Sequence, residues 1–139
     1  MKYDVVQQSL EEYVKANWSE TEIQFDNVAF SSDLYTEFLR VNVRFGDSKS
    51  RTVTKGCYRQ TGILMLSVFT KPGTGSARQM ALATTAANLM NDAVVEPVSP
   101  LVAPKVNFLE PSFHGDNNEK HGWVIAQVIC PFYYDFQTV

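Results

Sequence analysis

A chain of 139 residues, 45% hydrophobic and 19% charged, suits one folded domain and argues against a disordered chain. A domain of this length buries roughly 65–70% of its unfolded surface, so it builds a core without disulfide or metal staples. A net charge of −3 argues against a general nucleic-acid binder, and no segment approaches the ~18–20 apolar residues of a membrane span.

The charge is unevenly placed. Residues 1–36 hold seven acids and two bases, whereas residues 37–59 hold six bases and two acids. This split suits either an uneven solvated surface or an acidic flank that meets the basic flank of the next copy. Cys57 and Cys130 lie in predicted strands without metal-ligand spacing and read as buried thiols of a reducing compartment. The sequence leaves their pairing open. The opening Met1-Lys2-Tyr3-Asp4 lacks the apolar run of a signal peptide, so folding in the cytoplasm is expected.

In chain order, the first element is helical. Tyr3, Val6, Leu10, Tyr13 and Val14 recur at helical spacing over residues 3–16, with Gln7, Gln8, Glu11, Glu12 and Lys15 largely opposite. The helix is expected to end near Asn17, with Trp18 packed beneath it. Residues 22–30 read as a weak strand pair or extended arm turning at Asp26-Asn27, and residues 31–33 as a loop.

Residues 38–45 form the clearest alternating strand. Leu39, Val41, Val43 and Phe45 point one way, and Arg40, Asn42 and Arg44 the other. Residues 46–49 are expected to turn the chain, so that 51–58 returns as the second strand of a hairpin. Residues 63–70 form a third strand that is apolar on both faces, with Ile63, Met65 and Phe69 on one and Leu64, Leu66 and Val68 on the other. Such a strand is expected to be central and covered on both sides. The Lys71-Pro72-Gly73-Thr74-Gly75 loop stops it, and Ser76 suits the cap of the next helix.

That helix is rich in alanine, and its apolar arc is too wide for a helix lying on a monomer surface. Three prolines make residues 96–104 an extended connection. Residues 106–110 read as a short strand, 114–122 as a mobile polar loop, and 123–134 as the last strand. Pro131 asks for an edge position or a bulge there. The helices do not alternate with the strands. The expected class is therefore α+β, a mainly antiparallel sheet with two principal helices packed on one face, in a single domain over residues 1–139.

Catalytic chemistry is weakly represented. The loop before Ser76 lacks the lysine of a phosphate-binding loop, and His114 and His121 sit seven apart on a polar segment without rigid ligand geometry. No Gly-x-Ser-x-Gly elbow occurs, and nothing suggests a buried carboxylate pair. No catalytic, metal or cofactor residue is therefore assigned, and no enzymatic activity is expected. The basic stretch lacks a recognition helix and stacking aromatics, which favours oligomer contacts or a solvated face over nucleic-acid binding. Arg40 and Arg44, with Leu64, Leu66 and Val68 of the two-sided strand, are the candidate subunit-interface residues.

Several blocks together resemble the tail terminator proteins of long-tailed bacteriophages. They are the opening amphipathic helix, Phe25-Asp26-Asn27-Val28-Ala29-Phe30, Leu39-Arg40-Val41-Asn42-Val43, and the strand Gly62-Ile63-Leu64-Met65-Leu66-Ser67-Val68-Phe69. Lys71-Pro72-Gly73-Thr74-Gly75 before an Ala-rich helix, and the close from Gly122-Trp123 to Tyr133-Tyr134, complete the likeness, which spans nearly the whole chain. The resemblance implies a structural virion protein. It would form a ring, typically a hexamer, that caps the head-proximal end of the tail tube, stops tube polymerisation and meets the head–tail connector. Its partners would be itself, the tail tube protein and the connector protein, with no membrane and with DNA at most as passing cargo. It would reside in the virion tail, after assembly in host cytoplasm. Two other readings stand beside it: a head–tail connector or adaptor of the same particle, and a small ligand-binding domain.

Overall fold

The computed structural model describes residues 3–25, 36–50, 56–73, 76–96, 105–120 and 122–137. The expected Asp26-Asn27 turn, the loop at 31–33, the first part of the returning strand at 51–55 and most of the proline connection lie outside them, as does the Ser76 side chain.

Helix α1 runs Tyr3–Asn17 and buries Val6, Leu10 and Val14, a single stripe at four-residue spacing. Asp4 in the first turn and Lys15 in the last complement the helix dipole. The end is closed locally. Asn17 Nδ2 donates to Tyr13 O at 2.8 Å, and Trp18 N donates to Val14 O at 2.9 Å. Trp18 packs under the helix end as expected, and its indole N–H donates to Thr21 Oγ1.

Strand β1 (Glu22–Gln24) lies parallel to β2 (Glu37–Ser50), which pairs antiparallel with β3 (Cys57–Thr70). The expected turn at residues 46–49 is instead a bulge inside one long hairpin. Three steps along β2, from Phe45 to Ser48, oppose two along β3, from Gly62 to Gln60. The buried Gln60 repairs the interrupted ladder. Its Nε2 donates to Gly46 O and Thr61 O, both at 2.8 Å, while its Oε1 accepts from Tyr3 OH at 3.1 Å. The two strands expected at 51–58 and 63–70 are thus continuous from Cys57 to Thr70.

Helix α2 (Ser76–Met90) buries Gln79, Leu82, Ala83, Ala86 and Met90, and leaves Met80, Ala81, Thr84 and Thr85 in water. It does lie on the surface of the monomer, because alanine and threonine make a tolerable solvent face even where the sequence looks apolar. Arg78 ties its first turn to β2 through a two-bond ion pair with Glu37, at 3.0 and 2.7 Å. Its far end turns through Asp92, at φ 54° in the left-handed position that glycine usually fills.

Strands β4 (Val94–Val95) and β5 (Val106–Phe108) follow, then β6 (Ser112–Lys120) and β7 (Trp123–Gln137). The segment expected as a mobile loop is therefore a strand: β6 pairs antiparallel with the first half of β7. The pairing satisfies backbone groups along an edge of β7 that the polar side-chain pattern could not reveal. The sheet order is β1-β2-β3-β7-β5-β4, with β6 beside β5 along the same edge of β7. Pro131 sits in this central strand, not at an edge. Its carbonyl faces that second neighbour and accepts from Leu109 N at 3.0 Å. Its missing donor faces the same way, into the gap where β6 departs and β5 begins, so no ladder bond is lost.

Among the described strands only β1 pairs in parallel, and α1 and α2 pack on one face. The α+β class with a mainly antiparallel sheet is what the chain adopts.

Candidate assembly surface

The period of two along β2, β3 and β7 sorts their residues onto two faces, and the pairing register carries the sorting across the sheet. On one face Leu39, Val68 and Ala126 align, as do Val41, Leu66 and Val128, and Val43, Leu64 and Cys130. This face joins the helices in the main core. Burial there pushes the Cys130 thiol up to about 12, because the thiolate would lose its water.

The other face carries Arg40, Ser67 and Gln127 in one row, Asn42, Met65 and Ile129 in the next, and Arg44, Ile63 and Pro131 beyond. Neither helix covers it. Met65, Gln127, Ile129, Asn42 and Ile63 are half-buried, and Arg44 is exposed. At one end Phe38 stacks on Phe69 with centroids 4.5 Å apart, and Trp123 meets Phe38 edge-on, forming a small second apolar cluster. Lys71 Nζ lies 3.9 Å from the centre of the Trp123 ring. At the other end Arg59 grips Asp135 through two bonds of 2.8 and 3.0 Å and lies 4.1 Å over Tyr133. Between Arg44, Ile63, Pro131 and Tyr133 the surface sinks into an apolar groove of about 710 Å³, rimmed by the exposed Leu109.

The five candidate interface residues fall on opposite faces. Arg40 and Arg44 lie on the open one. Arg40 is held in place by Gln24 Oε1, 3.1 Å from its Nε, and by the Phe69 ring, 4.7 Å beneath its guanidinium. Leu64, Leu66 and Val68 are at most 1% exposed and pack beneath the chain's own helices. What β3 shows to the outside is the alternate set, Ile63 and Met65. With Ile129 and Tyr133 of β7, these went unassigned in the sequence. The signal was present: β7, like β3, is apolar at alternate positions on both sides.

On the far side of the molecule, the solvent face of α1 gathers Asp4, Glu11 and Glu12 with Gln7, Gln8 and the cation Lys15, along a shallow groove of about 440 Å³ that ends at the half-buried Phe25. Asp4, Glu11 and Glu12 on α1 thus lie on the opposite side of the sheet from Arg40 and Arg44 on β2. Among the described residues, no three of His, Cys, Asp and Glu converge on a point where a metal would sit.

Among the described residues, helices cover one side of the sheet and leave the other part-basic and part-apolar. The chain belongs to the phage tail terminator protein family, whose model matches residues 3–112. That family comprises structural virion proteins, so the molecule is a structural component of a phage tail. No curated protein matches it. One solved structure without a functional description matches over 100% of this chain and 98% of its own, at TM-score 0.65 and 20% identity, which shows a shared fold.

Proposed function

We propose that the protein closes into a ring of identical copies, six by the family resemblance, that caps the head-proximal end of the tail tube. The ring ends tube polymerisation and offers the surface to which the head–tail connector joins. Its partners are further copies of itself, the tail tube protein and the connector protein, with DNA at most as passing cargo. The observation that carries this reading is the open sheet face, where half-buried Met65, Ile129 and Ile63 flank Arg40 and Arg44. A monomer gains nothing from presenting such a surface to water, whereas an interface with an apolar centre and charged surroundings uses both.

The test is electron microscopy of phage particles assembled without this protein. Overlong tails are the expected result. Tails of normal length that fail to join heads would instead assign the adaptor role, the second reading. Particles that assemble normally would refute both.

A further inference from the structure

The proposed ring requires two unlike surfaces that fit each other. An interface between two copies of the same patch is two-fold and closes at a dimer, whereas two different patches on opposite sides propagate head to tail. The chain has such a pair. The open sheet face carries Arg40 and Arg44 on β2; the solvent face of α1, across the sheet and beyond the core, carries Asp4, Glu11 and Glu12, a set that stays net acidic with Lys15 among it.

The spacing of the charges matches as well as their sign. Arg40 and Arg44 are four residues apart on one face of a strand, which places their backbones ~13 Å apart. Asp4 and Glu11 are seven residues apart, two turns along one side of a helix, or ~10.5 Å, and Glu12 extends this to ~12 Å. The widths also agree. Strands β2, β3 and β7 span ~10 Å between the outer two, close to the ~10–12 Å diameter of a helix with its side chains.

We propose that α1 of one copy lies lengthwise along the open face of β2 and β3 of the next, with Asp4 and Glu11–Glu12 opposite Arg44 and Arg40. This rests on the reading that copies assemble, and it names the two surfaces that do so. The orientation of Arg40 is preset, because Gln24 and the Phe69 ring hold its guanidinium before any partner arrives. Met65 and Ile63 then lie beneath the docked helix and supply the apolar centre. Each copy contributes a helix on one side and a sheet on the other, so the contact repeats until the rotation closes it.

The test is a charge swap. Wild type, Arg40→Glu/Arg44→Glu, Glu11→Lys/Glu12→Lys and the fourfold variant are compared by sedimentation over a concentration series, in low and high salt. If free wild type stays monomeric, copy number on isolated tail tubes is measured instead. Each double reversal should weaken association by on the order of 100-fold, and the fourfold variant should recover most of it. Arg44→Glu alone, at an exposed position, gives a second reading that does not depend on folding. Reversals that assemble like wild type, or a swap that fails to rescue, would overturn the pairing while leaving the ring intact, with the open face then taken by the tube or connector protein. Wild type that never assembles, free or on tubes, would sink the functional reading itself.

Discussion

Gly62 lies in the middle of β3, paired with Phe45 on one side and Phe132 on the other, where a central strand would ordinarily carry a branched side chain. A methyl added there would stand 2.5 Å from Phe132 Cζ and 2.7 Å from the backbone oxygen of Arg44. Carbon atoms in comfortable contact are about 3.5–4.0 Å apart, so both contacts are severe overlaps. The Phe132 ring cannot swing aside freely. It is 1% exposed and held between Phe108, at 5.5 Å, and Phe45, at 6.1 Å. The second obstacle is main chain in the β2–β3 ladder, so relief means bending the hairpin. Overpacking by one methyl costs about 1–3 kcal/mol, and a backbone obstacle puts Gly62→Ala at the upper end. Against this stands a gain of about 0.4–1 kcal/mol from the stiffer unfolded chain. The net expectation is a loss of about 2 kcal/mol. With about 2.1 cal/mol/K of unfolding entropy per residue, that lowers Tm by about 7 °C. Urea and thermal melts of Gly62→Ala and of Gly46→Ala, whose added methyl meets the Thr61 hydroxyl at 3.1 Å and the Thr61 backbone oxygen at an ordinary 3.5 Å, measure the contrast. Combined with Phe132→Leu, the Gly62 cost should fall by about 1 kcal/mol or more, since the ring overlap goes and the carbonyl overlap stays. A Gly62→Ala protein within about 0.5 kcal/mol of wild type would refute the reasoning.

Two further expectations concern the core. Gln60→Leu removes three hydrogen bonds at about 1 kcal/mol each, and partial solvent access at Tyr3, Gly46 and Thr61 softens the loss. A destabilisation of about 2 kcal/mol in urea is expected, and a neutral variant would show that the bulge does not depend on this amide. For Cys130, the unfolded thiol ionises near 9.0 and the folded one at about 12, so across that window the unfolded state binds fewer protons. Stability should therefore be unaffected by this group below pH 9 and fall by about 1.4 kcal/mol per pH unit above it. Cys130→Ala should flatten that alkaline slope, and thiol labelling read by mass spectrometry should leave Cys130 unmodified until the chain unfolds.

Local pattern made much of the molecule legible. The Val6–Leu10–Val14 stripe, the alternation from Leu39 to Phe45, and the loop-to-helix switch after Thr70 each lie within one element, so neighbouring residues report them. The misreadings have one common cause. Gly46 and Asp47 look like a turn when β2 is read alone; they are a bulge because Gln60, fourteen residues on, supplies the missing partner. The segment from residue 114 onward looks like a loop because its composition is polar, yet β7 presents an edge that pairs with it as far as Lys120. Backbone hydrogen bonds do not depend on side-chain polarity, so composition cannot announce them.

The same limit governs the surface. From the residues alone follow the α+β class, the absence of a recognisable catalytic motif, the alternating arginines and a strand too apolar for an ordinary half-exposed position. Which half of that strand is sealed was decided only when α1 and α2 packed on the side bearing Leu64, Leu66 and Val68, turning Ile63 and Met65 outward beside Arg40 and Arg44. A period of two specifies that a strand has two faces; it cannot say which one the helices will cover, because that depends on long-range packing across the whole sheet.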